Sequence, residues 1–383
     1  MEQYRHENPE EKINTKWECV KTSIQIANTN LPVKENKKKQ LWITDEVLSK
    51  ITQRKQAKNT PEYASIEREI RQMCRAAKET WIQIKCKEIE DLEIKHNSKE
   101  VHENIKRFTK KKNNITGNGC IRGKNGEIIV DNSDIIERWK EYTEELFWDN
   151  RSNKPALQNS QDGPKILKAE VEKAIKNLKQ GKAAGPDKIT TEMIKSLANF
   201  GIDTITELCN DIYNTGYIPK DLKTSIFITL PKKPRAVECE DYRTISLMSH
   251  ITKILLKVIQ ERIQNKIDEE VTEEQFGFRK NSGTREAIIC LRMLIEKYIE
   301  VQKNIYVCFI DYKKAFDRVQ HERLITCLQD IGVDGKDIRI IGNFYWEQVA
   351  TVRYRNNYSS PIEIKRGVRQ GCVLSPSLFN LYT

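Results

Sequence analysis

Two carboxylates follow an apolar run in residues 304–319, NIYVCFIDYKKAFDRV. Residues 305–310 have the apolar composition of a buried strand, Asp311 comes directly after them, and Asp317 follows on the next turn. A carboxylate at the end of a buried strand must be hydrogen-bonded, paired with a cation or bound to a metal ion, because an isolated buried charge is costly. Asp311 is therefore interpreted either as a ligand of a hard cation such as magnesium or as a helix cap or salt-bridge partner.

Two other stretches carry residues suited to binding phosphate. The first, residues 230–247, has three cations around a turn: Lys232, Lys233 and Arg243. The second, residues 366–381, has a polar group after a predicted strand: Arg366, Arg369, Gln370 and Gly371. Lysine and arginine bind phosphate oxygens, and glycine lets the backbone approach a ligand closely. Together with a magnesium carboxylate, these are the parts of a phosphoryl-transfer site.

The elements that must position these groups are helices interleaved with short strands and hairpins. Apolar periodicity predicts helices at residues 171–178, 191–214, from 249 onward, after 283, at 321–330 and at 338–347. The helix after Gly283 is expected to bury one face, formed by Ala287, Ile288, Leu291, Leu294, Ile295 and Tyr298. A strand is predicted at residues 224–230 and a closing hairpin at 350–367. This mixture predicts an α+β domain.

The N-terminal part of the chain is organised differently. Residues 1 to about 40 are polar and lack periodicity, which predicts a loose segment. Residues 61–92 predict one long amphipathic helix with Pro61 in its first turn, either packed on a neighbour or part of a coiled coil. Three further elements are predicted before residue 166: a hairpin turned at Asn125–Gly126, a helix capped by Ser133, and a linker over residues 148–165.

Composition narrows the class of partner and the compartment. The 383 residues include 66 Lys and Arg against 55 Asp and Glu, a formal charge of +11. This balance favours nucleic acid as a partner over a membrane, although a soluble basic protein with no such partner has the same composition. The ten cysteines form no C-x-x-C pair, and the chain has no signal-peptide core or membrane-length apolar run, so a reducing intracellular location, nucleus or cytoplasm, is expected.

Five stretches, in order along the chain, resemble the motifs of the reverse transcriptases of LINE-type, non-LTR retrotransposons. They are GKAAGPDKITTEMIK (181–195), LPKK…EDYRTISL (230–247), EEQFGFRKNSGTREAI (273–288), VCFIDYKKAFDRV (307–319) and IKRGVRQGCVLSPSLFNLY (364–382). The first three resemble finger motifs, and the last two resemble palm motifs A and B. The resemblance implies right-hand polymerase fingers and a partial palm over residues 166–383, a connector over 113–165, and a helical, basic N-terminal extension over 1–112.

The resemblance also implies roles for the residues around the carboxylate. Asp311 would bind two magnesium ions, or manganese as an alternative, with a main-chain group of Tyr312 beside them. Phe316 would be the steric gate that excludes the ribose 2′-hydroxyl, while simple core packing also accounts for a ring there. Asp317 is not a metal ligand in this family, and it is expected to be a cap or a salt-bridge partner.

The remaining implied roles concern the nucleotide and the nucleic acid. The residues are the triphosphate ligands Lys232 and Arg243, with Lys233 as the substitute for Lys232, the nucleotide-pocket residues Gln370 and Gly371, and Arg279 beside the template. The implied partners are an RNA template, a DNA primer and deoxynucleoside triphosphates. The polymerase interpretation requires three groups to lie in one cleft. These are Asp311, the two triphosphate cations and the Gln370–Gly371 segment, which we call the Gln370–Gly371 shelf.

The chain departs from the family pattern at two places. The family carries proline after the position of Arg243, where this chain has Thr244, and this loosens the turn that aims the arginine. The printed sequence reaches Thr383 before the paired-aspartate hairpin and the thumb of the family. A polypeptide of these residues is expected to be inactive alone, because one carboxylate does not hold two magnesium ions against their mutual repulsion.

Two other functions are open at this level. The first is a non-catalytic nucleic-acid-binding remnant that uses the basic fingers and the lysine-rich N-terminal part; salt-dependent binding without nucleotide incorporation would favour it. The second is a helical interaction protein built on residues 61–95. This second function gives no reason for the motifs between residues 181 and 383.

Overall fold

The computed structural model describes all residues except 1–7, 30–41, 57–60, 96, 110–118 and 156–161. The chain divides into two compact units, one formed by Met1–Asn30 with Ile115–Thr383 and the other by Leu31–Asn114. The boundary predicted between residues 112 and 113 lies outside the described residues.

Helices and short strands alternate through the described residues. The helices are α1 (Pro9–Thr29), α2 (Asp45–Gln56), α3 (Tyr63–Ile94), α4 (Ser98–Thr109), α5 (Asn132–Phe147), α6 (Lys168–Asn177), α7 (Thr191–Lys195), α8 (Asn199–Thr215), α9 (Lys220–Lys223), α10 (His250–Glu270), α11 (Thr284–Glu300), α12 (His321–Asp330), α13 (Gly335–Trp346) and α14 (Ser375–Tyr382). The strands are β1 (Ile121–Arg122), β2 (Ile128–Ile129), β3 (Thr224–Pro231), β4 (Tyr242–Leu247), β5 (Val349–Tyr354), β6 (Asn357–Tyr358) and β7 (Ile362–Glu363). This composition confirms the mixed helix-and-sheet class.

The smaller unit consists of α2, α3 and α4. The predicted long helix is confirmed, but it begins at Tyr63, so Pro61 lies before its first turn. Arg54 of α2 pairs with Glu67 of α3 at 2.6 Å, which ties the two helices together. Among the apolar residues of α3 only Ile70 is buried. Most of the other apolar residues of the stripe, including Met73 and Trp81, are half-buried.

The larger unit is built around a five-stranded sheet with the order β4-β3-β5-β6, and β7 also pairs with β5. Strand β3 is antiparallel to β4, with Leu230 opposite Arg243. It is parallel to β5, with Ile228 opposite Arg353. The predicted strand at 224–230 and the closing hairpin are both confirmed. The sheet places the residues after β3 next to the start of β4, where the three predicted cations lie.

Two hydrophobic clusters stabilise the larger unit. The first gathers buried residues of α1, α6, α8, α10, α12, α13 and α14, including Tyr213, Leu256, Ile340 and Leu378. The second lies between α5 and the sheet and includes Trp139, Phe147, Phe227 and Val352. Because burial of a large apolar side chain contributes roughly 1.5–3 kcal/mol, these clusters provide the main stabilisation of the unit.

The prediction of a loose segment over residues 1–40 is wrong for its described part. Helix α1 buries Ile13, Trp17, Val20 and Ile24 in the first hydrophobic cluster. These residues recur at steps of four, three and four, which is the spacing of one helix face. The many polar residues between them obscured the stripe. An N-terminal helix thus belongs to the same unit as the polymerase-like motifs.

Two helix boundaries also differ from the prediction. The single helix expected over residues 191–214 is interrupted, because Ala198 adopts an extended conformation between α7 and α8. The side chain of Asp131, and not that of Ser133, caps α5 by accepting a hydrogen bond from the main-chain N–H of Ser133. Both differences arise from local backbone conformation that apolar periodicity does not report.

The hairpin before α5 is confirmed, with Ile121 opposite Ile129 and with Gly126 at a φ of +88° in its turn. The predicted linker over residues 148–165 begins with an anchored residue. The guanidinium of Arg151 donates to the carbonyl oxygen of Trp346 at 2.8 Å. Residues 156–161 of this linker lie outside the described residues.

Helix α11 differs from the prediction in its environment. The periodicity predicts a helix with a buried face, and the helix is present, but none of its residues is buried. Ile288 and Leu294, two residues of the expected inward face, are exposed. Periodicity identifies an apolar stripe and does not identify the surface that covers it. Among the described residues, Ala287, Leu291 and Ile295 of this stripe are half-buried and the rest of it is exposed.

Candidate functional site

The stretch that carries Asp311 is extended and exposed. Residues 303–312 belong to no strand, and within the described residues no strand pairs with them. The side chains of Tyr306 and Phe309 are 91% and 83% exposed. The prediction of a buried strand ending at Asp311 is therefore wrong for this structure. An apolar run suits a strand, but pairing needs a neighbouring strand that local sequence does not supply.

Asp311 is exposed and has no hydrogen bond or ion pair with another described residue. An unpaired carboxylate in the open fits a magnesium ion, which takes one or two protein carboxylates and completes its shell with water and phosphate oxygens. Tyr312 is also exposed. Within the described ranges, no group of three His, Cys, Asp or Glu side chains lies close enough to hold a metal ion.

The cations after β3 gather on a 3₁₀ turn, Cys239–Asp241. The Lys232 ammonium donates to the main-chain carbonyl of Glu240 at 2.8 Å, and Lys233 pairs with Asp241 at 2.9 Å. Lys313, which follows Asp311 by two residues, pairs with the Glu240 carboxylate at 3.1 Å. The segment with the candidate metal ligand is thereby joined to the segment with the candidate triphosphate ligand.

Lys314 adopts a left-handed conformation with a φ of +56°, which is uncommon for a residue with a side chain. Its ammonium lies 4.4 Å from the centre of the Tyr142 ring and bonds the hydroxyl of the same residue. Burial lowers the pKa of Lys314, and the nearby carboxylates of Glu240 and Asp317 oppose this shift. The backbone at this point turns from the exposed stretch into the buried residues that follow.

Asp317 is buried, at 8% exposure, and has no salt bridge among the described residues. Burial raises its pKa to about 6, while the positive charges of Lys314 and Lys232 act in the opposite direction. The expectation of a salt-bridge partner is therefore not met by direct contact. Asp317 lies in the interior of the candidate site, close enough to Lys232 for their charges to interact.

Residues 316–319 form a short ladder with the segment that carries the shelf. The main-chain N–H of Val368 donates to Phe316 at 2.8 Å, and that of Gly367 donates to Val319 at 2.7 Å. Gly367 has a φ of +88°, and a Cβ there would lie 2.9 Å from the carbonyl oxygen of Asp317. Only glycine meets both conditions without strain, so Gly367 allows the two segments to approach.

The Gln370–Gly371 shelf lies against β4. The main-chain N–H of Ser246 donates to the carbonyl of Gln370 at 2.9 Å. Gly371 has a φ of +106°, and a Cβ there would lie 3.2 Å from the carbonyl oxygen of Ser246. Thr244, Asp317 and Gln370 line one small cavity between the sheet and the shelf. Strand β4 therefore contacts the shelf near its C-terminal end, at Ser246, and carries the exposed Arg243 near its N-terminal end.

Two arginines of the second polar stretch are engaged elsewhere. The buried Arg369 guanidinium lies 3.6 Å from the centre of the Phe344 ring and donates to the carbonyl of Lys223. Burial lowers the pKa of Arg369 to about 10. Arg366 donates twice to the carbonyl of Leu146. Both arginines hydrogen-bond main-chain carbonyls of neighbouring segments, so their guanidinium groups are not free to bind a phosphate.

The half-buried Phe316 ring is held by two aromatic neighbours. It stacks on Phe379 of α14 at 4.6 Å with an interplanar angle of 14°. Phe278 meets it edge-on at 5.5 Å and has a φ of +56°. The sequence had suggested either a steric gate or core packing, and the structure gives the ring a fixed packing position at the edge of the site. Arg279, the next residue, donates to the carbonyl of Thr272 at 2.9 Å.

Most of the predicted site residues therefore lie on connected segments. The structure brings together Lys232, β4, the Gln370–Gly371 shelf and residues 313–319, while the Asp311 side chain forms no hydrogen bond or ion pair with these described residues. Sequence reasoning missed three residues of this region: Glu240, Lys313 and Lys314. In the sequence these three residues differ from their neighbours only in being charged, and charged residues are also typical of ordinary protein surface.

Comparisons with known proteins bear on the same segments. Residues 230–383 match the family described as Reverse transcriptase (RNA-dependent DNA polymerase). A probable RNA-directed DNA polymerase from transposon BS of Drosophila melanogaster is 30% identical over 217 residues, 56% of this chain and 24% of the relative. The RNA-directed DNA polymerase from mobile element jockey of Drosophila funebris is 31% identical over 219 residues, with the same coverage of 56% and 24%.

A third relative extends the match toward the N-terminus. The transposon TX1 uncharacterized 149 kDa protein of Xenopus laevis is 23% identical over 285 residues, 71% of this chain and 22% of the relative. The chain spans about a quarter of the length of these relatives. The matches confirm the resemblance to the reverse transcriptases of non-LTR retrotransposons that the motifs indicated.

Proposed function

We propose, from the match of residues 230–383 to the reverse transcriptase family, that this chain is part of the RNA-directed DNA polymerase of a non-LTR retrotransposon. Residues 166–383 form the fingers and a partial palm, and 113–165 a connector. Residues 1–112 are a helical extension whose helix α1 packs within the same compact unit as the fingers and palm. Its partners are an RNA template, a DNA primer and deoxynucleoside triphosphates, and it acts in the nucleus or the cytoplasm. No described helix is long and apolar enough to cross a membrane.

The observation that carries this proposal is the junction of three sequence segments that are far apart in the chain. Lys313 meets Glu240, beside which the Lys232 ammonium is bound, and the Gln370 carbonyl is bound by Ser246 of β4. Two of the residues at this junction, Lys232 and Lys313, are cations of the type that binds phosphate oxygens. A nucleotide site needs such cations, because its ligand carries several negative charges.

Asp311, with a main-chain group of Tyr312, would hold magnesium, which supplies charge neutralisation for the triphosphate and activation of the primer hydroxyl. Lys232 and Arg243 bind phosphate oxygens. The Gln370–Gly371 shelf lines the base-pair side of the nucleotide, Phe316 limits the space at the sugar, and Arg279 lies toward the template. The half-buried Arg366 and the buried Arg369 tie the loop before the shelf to the main-chain carbonyls of Leu146 and Lys223.

The test is binding of a magnesium–dATP complex and of an RNA–DNA hybrid to the purified 383-residue polypeptide. We expect Lys232→Gln and Arg243→Gln each to weaken dATP binding about five- to tenfold, because each removes a charged hydrogen-bond donor. Lys124→Gln, which breaks a surface pair with Glu145, is the matched control. Equal dATP affinity in all variants would contradict the proposed site.

Primer extension separates this function from the second candidate. We expect the 383-residue polypeptide alone to give no extension, since Asp311 is a single candidate metal ligand among the described residues. Clear extension that Asp311→Asn abolishes would overturn that expectation and strengthen the function. Hybrid binding that is undiminished when dATP binding is absent would favour the non-catalytic nucleic-acid-binding remnant. Hybrid affinity should fall at least about tenfold between 50 and 200 mM salt.

A further inference from the structure

Four cations surround the acidic segment that joins β3 to β4. Glu238 pairs with Arg122 at 2.5 Å, and Asp241 pairs with Lys233 at 2.9 Å. Glu240, between them, receives two lysines: Lys313 at its carboxylate and Lys232 at its main-chain carbonyl. Of the three acidic residues, Glu240 is therefore the one that lies between the candidate triphosphate cation and the segment of the candidate metal ligand.

The ion pair between Glu240 and Lys313 is weak enough for a phosphate group to replace the Glu240 carboxylate. Both side chains are largely exposed, at 55% and 67%, and an exposed ion pair is weak because water screens it. A triphosphate brings several negative charges and more acceptor oxygens than one carboxylate, so it competes well for a lysine ammonium. The Lys232 ammonium donates to the main-chain carbonyl of Glu240, so the ammonium groups of Lys232 and Lys313 both lie beside Glu240.

We infer that Lys313 is a further phosphate-binding residue of the nucleotide site and that Glu240 is its counter-ion in the absence of nucleotide. Glu240 then sets the affinity for the triphosphate by competing for the Lys313 ammonium. This inference rests on the proposed function, because it takes Lys232 as a triphosphate ligand. It adds two residues that the sequence motifs left without a role.

Removing the charge of Glu240 and removing that of Lys313 should change polyphosphate affinity in opposite directions. A polyanion can bind the Lys313 ammonium only after the ion pair with Glu240 has broken, and the free energy of that pair is then lost from binding. Neutralising Glu240 should therefore tighten polyphosphate binding, whereas neutralising Lys313 should weaken it. The hydrogen bond from Lys313 lowers the pKa of the Glu240 carboxylate, and the positive charges of Lys314 and Lys232 act on it in the same direction.

The experiment measures affinity of the full 383-residue polypeptide for magnesium–dATP and for inorganic tripolyphosphate by calorimetry. We expect Glu240→Gln to bind both about three- to tenfold more tightly than the unaltered chain. Lys313→Gln should bind both about three- to tenfold more weakly. The matched control is Glu238→Gln, which removes a carboxylate from the same segment whose partner is Arg122, and it should change affinity less than twofold.

The double variant Glu240→Gln, Lys313→Gln tests whether Glu240 acts through Lys313. Because Glu240 then has no ammonium to compete for, the affinity of the double variant should equal that of Lys313→Gln within about twofold. Thermal unfolding of every variant checks folding. If Lys232→Gln weakens binding while Glu240→Gln behaves like Glu238→Gln, the inference fails and the proposed function stands. If the unaltered chain binds neither ligand at millimolar concentration, the inference and the proposed nucleotide site are both overturned.

Discussion

At the scale of single residues, two neighbouring aspartates acquire opposite environments. Asp311 is exposed and has no partner among the described residues, whereas Asp317 is buried beneath the shelf. The exposed carboxylate is available to a cation, and the buried one has its pKa raised to about 6. Both aspartates belong to the stretch 307–319, and the difference between them in pKa and in access to a cation comes from burial.

The raised pKa of Asp317 makes stability depend on pH. Between about pH 4 and about pH 6 the folded chain holds this proton more tightly than the unfolded chain, so its contribution to stability falls as the pH rises through that window. Asp317→Asn removes the burial of a charge. We expect the free energy of unfolding at pH 7.5 to rise by about 1–2 kcal/mol, with a smaller change at pH 4.5.

Urea unfolding at both pH values measures this change. Asp203→Asn, an exposed residue paired with Lys168, is the control and should alter the free energy of unfolding by less than about 0.5 kcal/mol at either pH. A loss of stability in Asp317→Asn at pH 7.5 would instead show that the carboxylate makes a favourable contact in its ionised form.

Gly367 gives a second prediction at this scale. Gly367→Ala should destabilise the chain by about 1–3 kcal/mol more than Gly126→Ala. Both glycines have a φ of +88°, so the conformational strain is the same. A Cβ at residue 367 meets the Asp317 carbonyl at 2.9 Å, and a Cβ at residue 126 meets nothing within 4 Å. Chemical unfolding of the two variants measures the difference; equal losses would mean that the shelf segment moves away freely.

At the scale of elements, the site depends on β4 and on the helices that support it. Strand β4 joins β3 on one edge and the shelf at Ser246 on its other side. Helix α1 packs with α8 in the first hydrophobic cluster, although it is far from these residues in the chain. The larger unit therefore includes an N-terminal helix that a search limited to the polymerase-like motifs would omit.

Trp17 tests the contribution of α1. Trp17→Ala should lower the free energy of unfolding by about 3–5 kcal/mol, because a fully buried ring is replaced by a cavity. Ile26→Ala, on the same helix but exposed, should lower it by less than about 1 kcal/mol. Denaturant titration followed by circular dichroism gives both values. Similar small losses in the two variants would show that α1 is not part of the core.

At the scale of the whole molecule, a net charge of +11 coexists with a large exposed apolar surface. The exposed apolar side chains include Ile288 and Met293 of α11, and Phe309 and Ile310 just before Asp311. Exposed apolar side chains promote association between molecules, whereas net charge opposes it. Solubility of the polypeptide is therefore expected to depend strongly on these side chains and on salt.

The double variant Ile288→Ser, Phe309→Ser should reduce self-association while changing the unfolding midpoint by less than about 2 °C, since both side chains are exposed. Ile340→Ser, in the buried face of α13, is the control and should lower the midpoint by several degrees. Light scattering across a concentration series measures the association. An equal loss of stability in the double variant would show that α11 or the extended segment is packed.

The sequence by itself determined the motif order, the strand at 224–230, the start of α10 after Ser249 and the residue types suited to phosphate, because these depend on neighbours in the chain. Tertiary structure alone decided that Asp317 is buried, that Arg369 faces Phe344 and that Lys313 meets Glu240. It also decided that α1 is covered and α11 is not. Burial and pairing depend on segments distant in the chain, and no local pattern records which segment lies opposite.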